Sequence, residues 1–326
     1  MNSLKIAMLA PPWLKTPPEG YGGTESVVHN LCRGLQELGV HVELFSIKGS
    51  SSPANSYHWL FEDEQYQHIH APMYNTAAIP TAHLLRSLEL IRRDGNFDLI
   101  HDHNHILGPA MLAERKDLPP VLHTLHGPFA NDERIEQGIV DDNPYYITVT
   151  ARAKRIFYNG ISRAQLKEAP WAMRKQTLGA VHHGIDPAEH KFYPKKDDYF
   201  VNVGRIAREK GINIAAEICQ QNDWKFKIAG LVADIDKPAK LRGELAQSGS
   251  RYHSMTDFIY FRDHVAPYMT TGQIAYIGSI FGKAKDELIG RAKAFLMPIQ
   301  WEEPFGVAVI DALVCGTPVV AMRRGS

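Results

Sequence analysis

The chain is poor in cysteine. Three occur in 326 residues, Cys32, Cys219 and Cys315, and none stands at a metal- or redox-type spacing from another. That excludes a disulfide scaffold and a zinc ribbon. It fits a protein kept in a reducing cytosol, and cytoplasmic is the expected location. No apolar run approaches the roughly 20 residues needed to cross a bilayer, although loose contact with a membrane surface is compatible with the composition. The N-terminal LKIAMLA is too short for the apolar core of a signal peptide and reads as a first strand. An excess of charge of either sign is also missing. Lys+Arg and Asp+Glu number 36 each, for a formal net charge of +0, so nucleic acid is not an expected partner. There is no low-complexity tract, no internal repeat and no GxGxxG, the usual mark of a nicotinamide-binding turn.

What is present is alternation. LKIAMLA stops at Pro11 and Pro12, and the loop WLKTPPEGYGG follows. TESVVHNLCRGLQELG then places Val27, Val28, Leu31, Leu35 and Leu38 at spacings of three and four, with Thr24 as the expected cap and Gly39 as the expected stop. HVELFSI returns as a strand, and further strands are expected in FDLIHDH, PVLHTLHG, RIFYNGIS and GAVHHGI. The polar stretch DPAEHKFYPKKDD (Asp186–Asp198) breaks the rhythm and reads as a linker. Strand and helix patterns then restart, from YFVNVGRI to PVVAM. The expected fold class is α/β: two Rossmann-like doubly wound domains, 1–190 and 191–326, facing across a cleft at the carboxyl ends of their strands. With 44% hydrophobic residues there is enough apolar material for two cores.

Several stretches near those strand ends carry chemistry. In GYGGTE, Gly22 and Gly23 let backbone approach a ligand closely at a helix start, where anions are attracted; an ordinary glycine turn would look the same. In GRIAREKG, Arg205 and Lys210 follow a strand and can neutralise a diphosphate without a metal ion, or simply belong to a solvated basic loop. In EEPFGVAVID, Pro304 suits the first helical position, and the amides of Phe305, Gly306 and Val307 would point at an anion. Asp311 lies among apolar residues of the same helix and needs a partner, such as a ribose diol or a buried Arg. His101, His103 and His105 alternate, as if on one strand face, and a metal site is one reading, although no Cys or Glu cluster accompanies them and such spacing alone is a weak signal. His126 ends a strand at a Gly-Pro turn. Asp234 and Asp236 spell Asp-x-Asp, but no supporting pattern surrounds them.

Together and in this order, GYGGTE, HTLHGP, ISRAQ, VHHGID, VGRIAREKG, YIGSI and above all EEPFGVAVIDALVCGTPVVA resemble the retaining glycosyltransferases of the GT-B fold, family 4. The resemblance runs from Leu4 to Ser326. It implies transfer of a sugar from a nucleotide-diphosphate donor with retained anomeric configuration and no metal or other cofactor, UDP or GDP being the expected nucleotide. By the same resemblance, Arg205 and Lys210 hold the diphosphate with Gly23 near it, and Glu303 and His126 attend the transferred sugar. Phe305, Gly306 and Val307 face sugar and phosphate through their amides, Ile280 marks the place of the base, and Asp311 grips the ribose. His103 matches a recurrent histidine without an assigned role. The acceptor, a carbohydrate, a lipid-linked compound or a small molecule, is expected on the first domain, near WLKTPPEG and the segment after His126.

Two departures stand out. Asp311 replaces the usual Glu, one methylene longer. The family continues beyond RRGS with a helix, a strand and a last helix, so the second sheet is expected to lack an edge strand. The second departure keeps another expectation open, a nucleotide-sugar-binding module incomplete without a partner or further residues. A phosphorylase is disfavoured by the lack of a lysine signature for pyridoxal phosphate.

Overall fold

The computed structural model describes residues 3–69, 73–129 and 144–326, and the chain divides into two compact units, Met1–Gly184 and Ile185–Gly325. The first contains β1 (Lys5–Leu9), α1 (Gly23–Glu37), β2 (His41–Ser46), β3 (Ser56–Trp59), α2 (Met73–Asp94), β4 (Leu99–Asp102), α3 (Leu107–Leu112), β5 (Val121–Leu125), α4 (Pro144–Arg152), β6 (Ile156–Gly160), α5 (Arg163–Lys167), α6 (Trp171–Arg174) and β7 (Thr177–Ala180). The strands form a parallel sheet in the order β3-β2-β1-β4-β5-β6-β7.

The apolar run of β1 is continuous because the strand is buried on both faces. Met8 and Ala10 pack with Val28 and Cys32 of α1. Ala7 and Leu9 join Leu84, Leu88 and Ile91 of α2.

Three local readings of the sequence give way. The cap of α1 is Gly22, at φ 154, and Thr24 lies inside the helix. A Cβ on Gly22 would lie 2.7 Å from Cβ of Pro18, so the turn needs glycine there. The stripe of α1 centres on Val28 and Cys32, which leaves Leu38 81% exposed. The last strand is Thr177–Ala180, earlier than GAVHHGI suggests, since its partner β6 ends at Gly160, opposite Ala180. β3 escapes the sequence pattern altogether, being a four-residue edge strand of alternately partly buried and exposed residues.

The second unit contains β8 (Phe200–Val203), α7 (Ile212–Gln221), β9 (Phe226–Ala229), α8 (Pro238–Ala246), α9 (Thr256–Tyr260), β10 (Ile274–Gly278), α10 (Gly282–Gly290), β11 (Ala294–Met297), α11 (Val307–Val314) and β12 (Val319–Ala321). Its parallel sheet has the order β10-β9-β8-β11-β12. Phe226 and Ile228 face one core with Ile212 and Phe258, while Val201, Phe295 and Ala312 build the other.

Both orders reverse at a single place, between β1 and β4 in the first sheet and between β8 and β11 in the second. Loops leaving the carboxyl ends of two such strands run to opposite faces and open a crevice. The loops in question are 10–22 and 103–106 in the first unit, and 204–211 and 298–306 in the second.

Candidate active site

In the second unit the switch point brings opposite charges together. Lys210, at the end of the loop after β8, places Nζ 2.5 Å from Oε2 of Glu303, on the loop after β11. Oε2 also accepts from the indole Nε1 of Trp301 at 3.0 Å, and the Lys210 ammonium lies 4.8 Å from the centre of the Trp301 ring. Two donors on one oxygen fix the carboxylate and leave Oε1 as its second acceptor. The close approach of the loops depends on Gly211, at φ 66, where a Cβ would sit 1.9 Å from the carbonyl oxygen of Pro298. Residues after β12 brace the same loop, since Arg324 Nη1 donates to Gln300 O at 3.2 Å and the Gly325 amide to Glu302 Oε2 at 2.6 Å.

Arg205 stands on the first of these loops and donates to Asp257 Oδ2 at 2.8 Å and to Glu209. Asp311 is 8% exposed, and its Oδ2 takes Lys285 Nζ at 2.8 Å. The partner demanded by a buried carboxylate is therefore a lysine from α10, not an arginine. Gly306 caps α11 at φ 82, so the helix opens at Val307 and Pro304 lies outside it. A residue in the left-handed region cannot be interior to a right-handed helix, which corrects the reading of Pro304 as its first residue. The amides of Val307 and Ala308 precede the first i→i−4 bond of the helix; Phe305 lies just before its cap. Ile280 sits between β10 and α10, partly buried against the second unit's core. Next to it the Ser279 amide donates to Asp236 O at 2.7 Å, which ties this loop to the Asp-x-Asp turn. Asp234 pairs with Arg251 at 2.7 Å while Asp236 is exposed, so the two acids do not converge.

In the first unit a cleft of about 660 Å³ opens at the switch point, lined by the loop after β1, the start of α1 and the ends of β4 and β5. Gly23, Glu25, His103 and His126 all face it. Of the alternating histidines only His101 and His103 lie together, their rings 4.4 Å apart, and His105 leaves them. β4 ends at Asp102, and His105 turns into the left-handed region at φ 45. Their surroundings are hydrogen bonds: His101 Nε2 to Thr124 Oγ1 at 2.8 Å, and His103 Nδ1 to His126 Nε2 at 2.8 Å. Asp102 accepts from the Asn104 amide and side chain and meets His123 Nδ1 at 2.6 Å, both groups fully buried. Thus HDHNH knots β1, β4 and β5 together.

Burial pushes His103 and His126 well below the usual imidazole range, so both rings are neutral and one must donate to the other. His103 Nε2 is buried without a partner. A bare lone pair there costs less than an orphaned N–H, so we assign the proton of His103 to Nδ1. His126 then accepts at Nε2 and carries its own proton on Nδ1, which makes it a hydrogen-bond donor rather than a base. Its ring stacks on His183 at 5.4 Å. Gln165 holds the strand end from outside, with Nε2 donating to Leu125 O at 2.9 Å and Gly127 O at 2.7 Å.

The sequence reading missed Trp301, Lys285, Asp257, Gln165 and Glu25. Each belongs to an element whose neighbour in space is distant in the chain. Only Gln165 and Glu25 fall within motifs quoted above, ISRAQ and GYGGTE.

Compared with known proteins, residues 21–189 match the family model described as Glycosyltransferase Family 4, and residues 187–326 match Glycosyl transferases group 1. The chain is 26% identical over 344 residues to a D-inositol 3-phosphate glycosyltransferase of Pseudarthrobacter chlorophenolicus, covering 93% of this chain and 74% of the relative. Among solved structures, the sucrose-phosphate synthase of Thermosynechococcus elongatus has a TM-score of 0.69 at 18% identity, covering 99% of this chain and 82% of that one. A glycosyltransferase-like fold is also shared with Anabaena HepE, solved with UDP and glucose, at a TM-score of 0.64 and 15% identity, over 99% of this chain and 81% of that one.

Proposed function

Because the chain belongs to glycosyltransferase family 4 and is a glycosyltransferase of the GT-B fold drawing on a nucleotide-sugar donor, we propose that it transfers the sugar with retention of configuration and without a metal ion. The observation that carries this reading is the Lys210–Glu303 pair at the second unit's switch point, with Arg205 on the same loop and paired to Asp257 and Glu209. Carboxylates flank both cations there, and a donor diphosphate would join them as a further anionic partner, since an ammonium and a guanidinium each have N–H donors to spare. As the bond from sugar C1 to the diphosphate oxygen breaks, negative charge grows on the leaving group. Arg205, Lys210 and the first amides of α11 are fixed groups suited to stabilise it. The acceptor oxygen bonds to C1 from the face the diphosphate leaves, and its proton passes to the departing phosphate oxygen.

Glu303, held at Oε2, offers Oε1 to a sugar hydroxyl, and His126 offers Nδ1–H. A carboxylate bound to both Lys210 and Trp301 is a poor nucleophile, which disfavours a covalent intermediate on Glu303. Asp311 keeps Oδ1 for the ribose, and the Ile280 loop takes the base of UDP or GDP. The acceptor belongs to the cleft of the first unit, where Trp13 and Leu14 of the WLKTPPEG loop line the wall. Gly22 and Gly23 form the turn between this wall and α1. All three cysteines are free and buried, and among the described residues no helix is long and apolar enough to cross a membrane. The free cysteines are in keeping with a cytoplasmic enzyme, and peripheral membrane contact is compatible with this reading.

Calorimetry with UDP, GDP and their sugars tests the assignment. Arg205→Ala and Lys210→Ala are each expected to weaken donor binding by at least about tenfold, or roughly 1.4 kcal/mol, and to abolish turnover. Donor turnover unchanged in both variants would rule the assignment out. Product NMR should show the donor's anomeric configuration, and chelation should leave the rate unchanged.

A further inference from the structure

The cleft of the first unit has a chemical character that bears on what it accepts. Three aromatic side chains line it, Trp13, Tyr21 and Tyr66, with the last two rings 5.8 Å apart. Asn104 and His126 add hydrogen-bonding groups. Among the described residues that line it there is no Lys and no Arg. Among these described lining residues the one carboxylic acid is Glu25, in the first turn of α1, 4% exposed. No other side chain among the described residues partners its carboxyl, and burial raises its pKa to about 7. The helix start that would otherwise attract an anion thus already faces a carboxyl group of its own.

We propose that this cleft selects an uncharged hydroxylated ring as acceptor and rejects the same ring bearing a phosphomonoester, with Glu25 as the group that discriminates. Aromatic walls cover the apolar faces of such a ring, and Glu25 takes one of its hydroxyl protons in a hydrogen bond. A phosphate brought to the same floor meets a carboxyl group and no cation, so it loses water without gaining a partner. The volume of about 660 Å³ has room for a ring of this kind with a substituent. The inference rests on the reading of this cleft as the acceptor side of the enzyme. It also separates the chain from a relative named for D-inositol 3-phosphate.

Saturation-transfer NMR on the full chain, with nucleoside diphosphate present, provides the test. The probes are two pairs: inositol with D-inositol 3-phosphate, and glucose with glucose 6-phosphate. The uncharged member of at least one pair should bind at least tenfold more tightly than its phosphate ester. Glu25→Gln, which keeps shape and removes charge, should narrow that gap to less than threefold at pH 8. Trp13→Ala should weaken the uncharged ligand without restoring the phosphorylated one. A phosphate ester that binds as well as its parent, a panel with no uncharged binder, or a gap untouched by Glu25→Gln overturns the proposal. Calorimetric titration of UDP and GDP on the same sample separates the two claims. Protein that binds neither nucleotide contradicts the enzyme reading itself, whereas protein that binds nucleotide and prefers the phosphate ester contradicts only the acceptor inference.

Discussion

His103 shows how one buried ring can determine what a neighbour does. Its Nδ1 reaches His126 Nε2 at 2.8 Å, and its Nε2 has no partner. If the lone pair at Nε2 is the cheaper orphan, nitrogen-15 NMR of histidine-labelled protein should find His126 protonated at Nδ1, with a signal assigned by its loss in His126→Gln. His103→Asn puts an amide donor near the position of Nδ1 and should keep that tautomer and most of kcat. His103→Leu should release it and lower kcat by about tenfold or more, within the range of a positioned proton donor, with little change in donor KM. Finding the Nε2 tautomer in the parent protein would remove the role given to His103. Nothing in HDHNH announces this contact. The sequence places His103 near a strand end, but its partner lies 23 residues away, across a strand pairing that the letters do not record. Glu303, Arg205 and Lys210 were easier to find, because a motif and a strand end coincide at each. The pairing of Lys210 with Glu303 was not, because it depends on which loops the strand order brings together.

At the scale of elements, most strands and helices were legible because an apolar period of two or of three to four changes at each boundary. The failures have local causes. Gly22 caps α1 in place of Thr24, since the turn needs a backbone angle that only glycine takes readily. α11 starts at Val307 because Gly306 takes a left-handed angle, a choice that a proline two residues earlier conceals. β3 carries no continuous apolar face and so gave no signal. The connection between α5 and β5 is a further case. Ser162 caps α5 by accepting from the Gln165 amide at 3.0 Å, and this aims the Gln165 side chain at the carbonyls on either side of His126. Gln165 Oε1 also accepts the Ile161 amide at 2.8 Å. Gln165→Ala leaves these buried groups unpaired and should destabilise the first unit by about 1–3 kcal/mol. In urea titrations the midpoint should fall, and the nitrogen-15 signals of His126 should broaden. An unchanged midpoint would show that the clamp contributes nothing.

For the molecule as a whole, titratable burial is unevenly divided. Burial lowers His83, His101 and His183 to about 4, and all three belong to the first unit. An unfolded imidazole takes up its proton near pH 6.5. The folded rings stay neutral until about pH 4. The unfolded chain therefore binds more protons between these values, and stability falls as the pH drops through that window. Each ring accounts for at most about 3 kcal/mol of the loss. Glu25 acts in the opposite sense. Its folded pKa of about 7 lies above the ordinary glutamate value of 4.5, so the folded state holds the extra proton and gains stability as the pH falls from 7 to 4.5, again by at most about 3 kcal/mol. Three imidazoles outweigh one carboxyl, and the first unit should open to acid ahead of the second. Hydrogen exchange at pH 5 and pH 7, corrected for the intrinsic rate, resolves the units by peptide: protection of β4, β5 and α2 should fall at pH 5 more than that of β8, β9 and β11. Glu25→Gln removes this opposing slope and should steepen the loss in the first unit while leaving the second unit's peptides as they were. Peptides of the second unit opening first at pH 5 would contradict the assignment of these histidines as neutral groups supporting the fold.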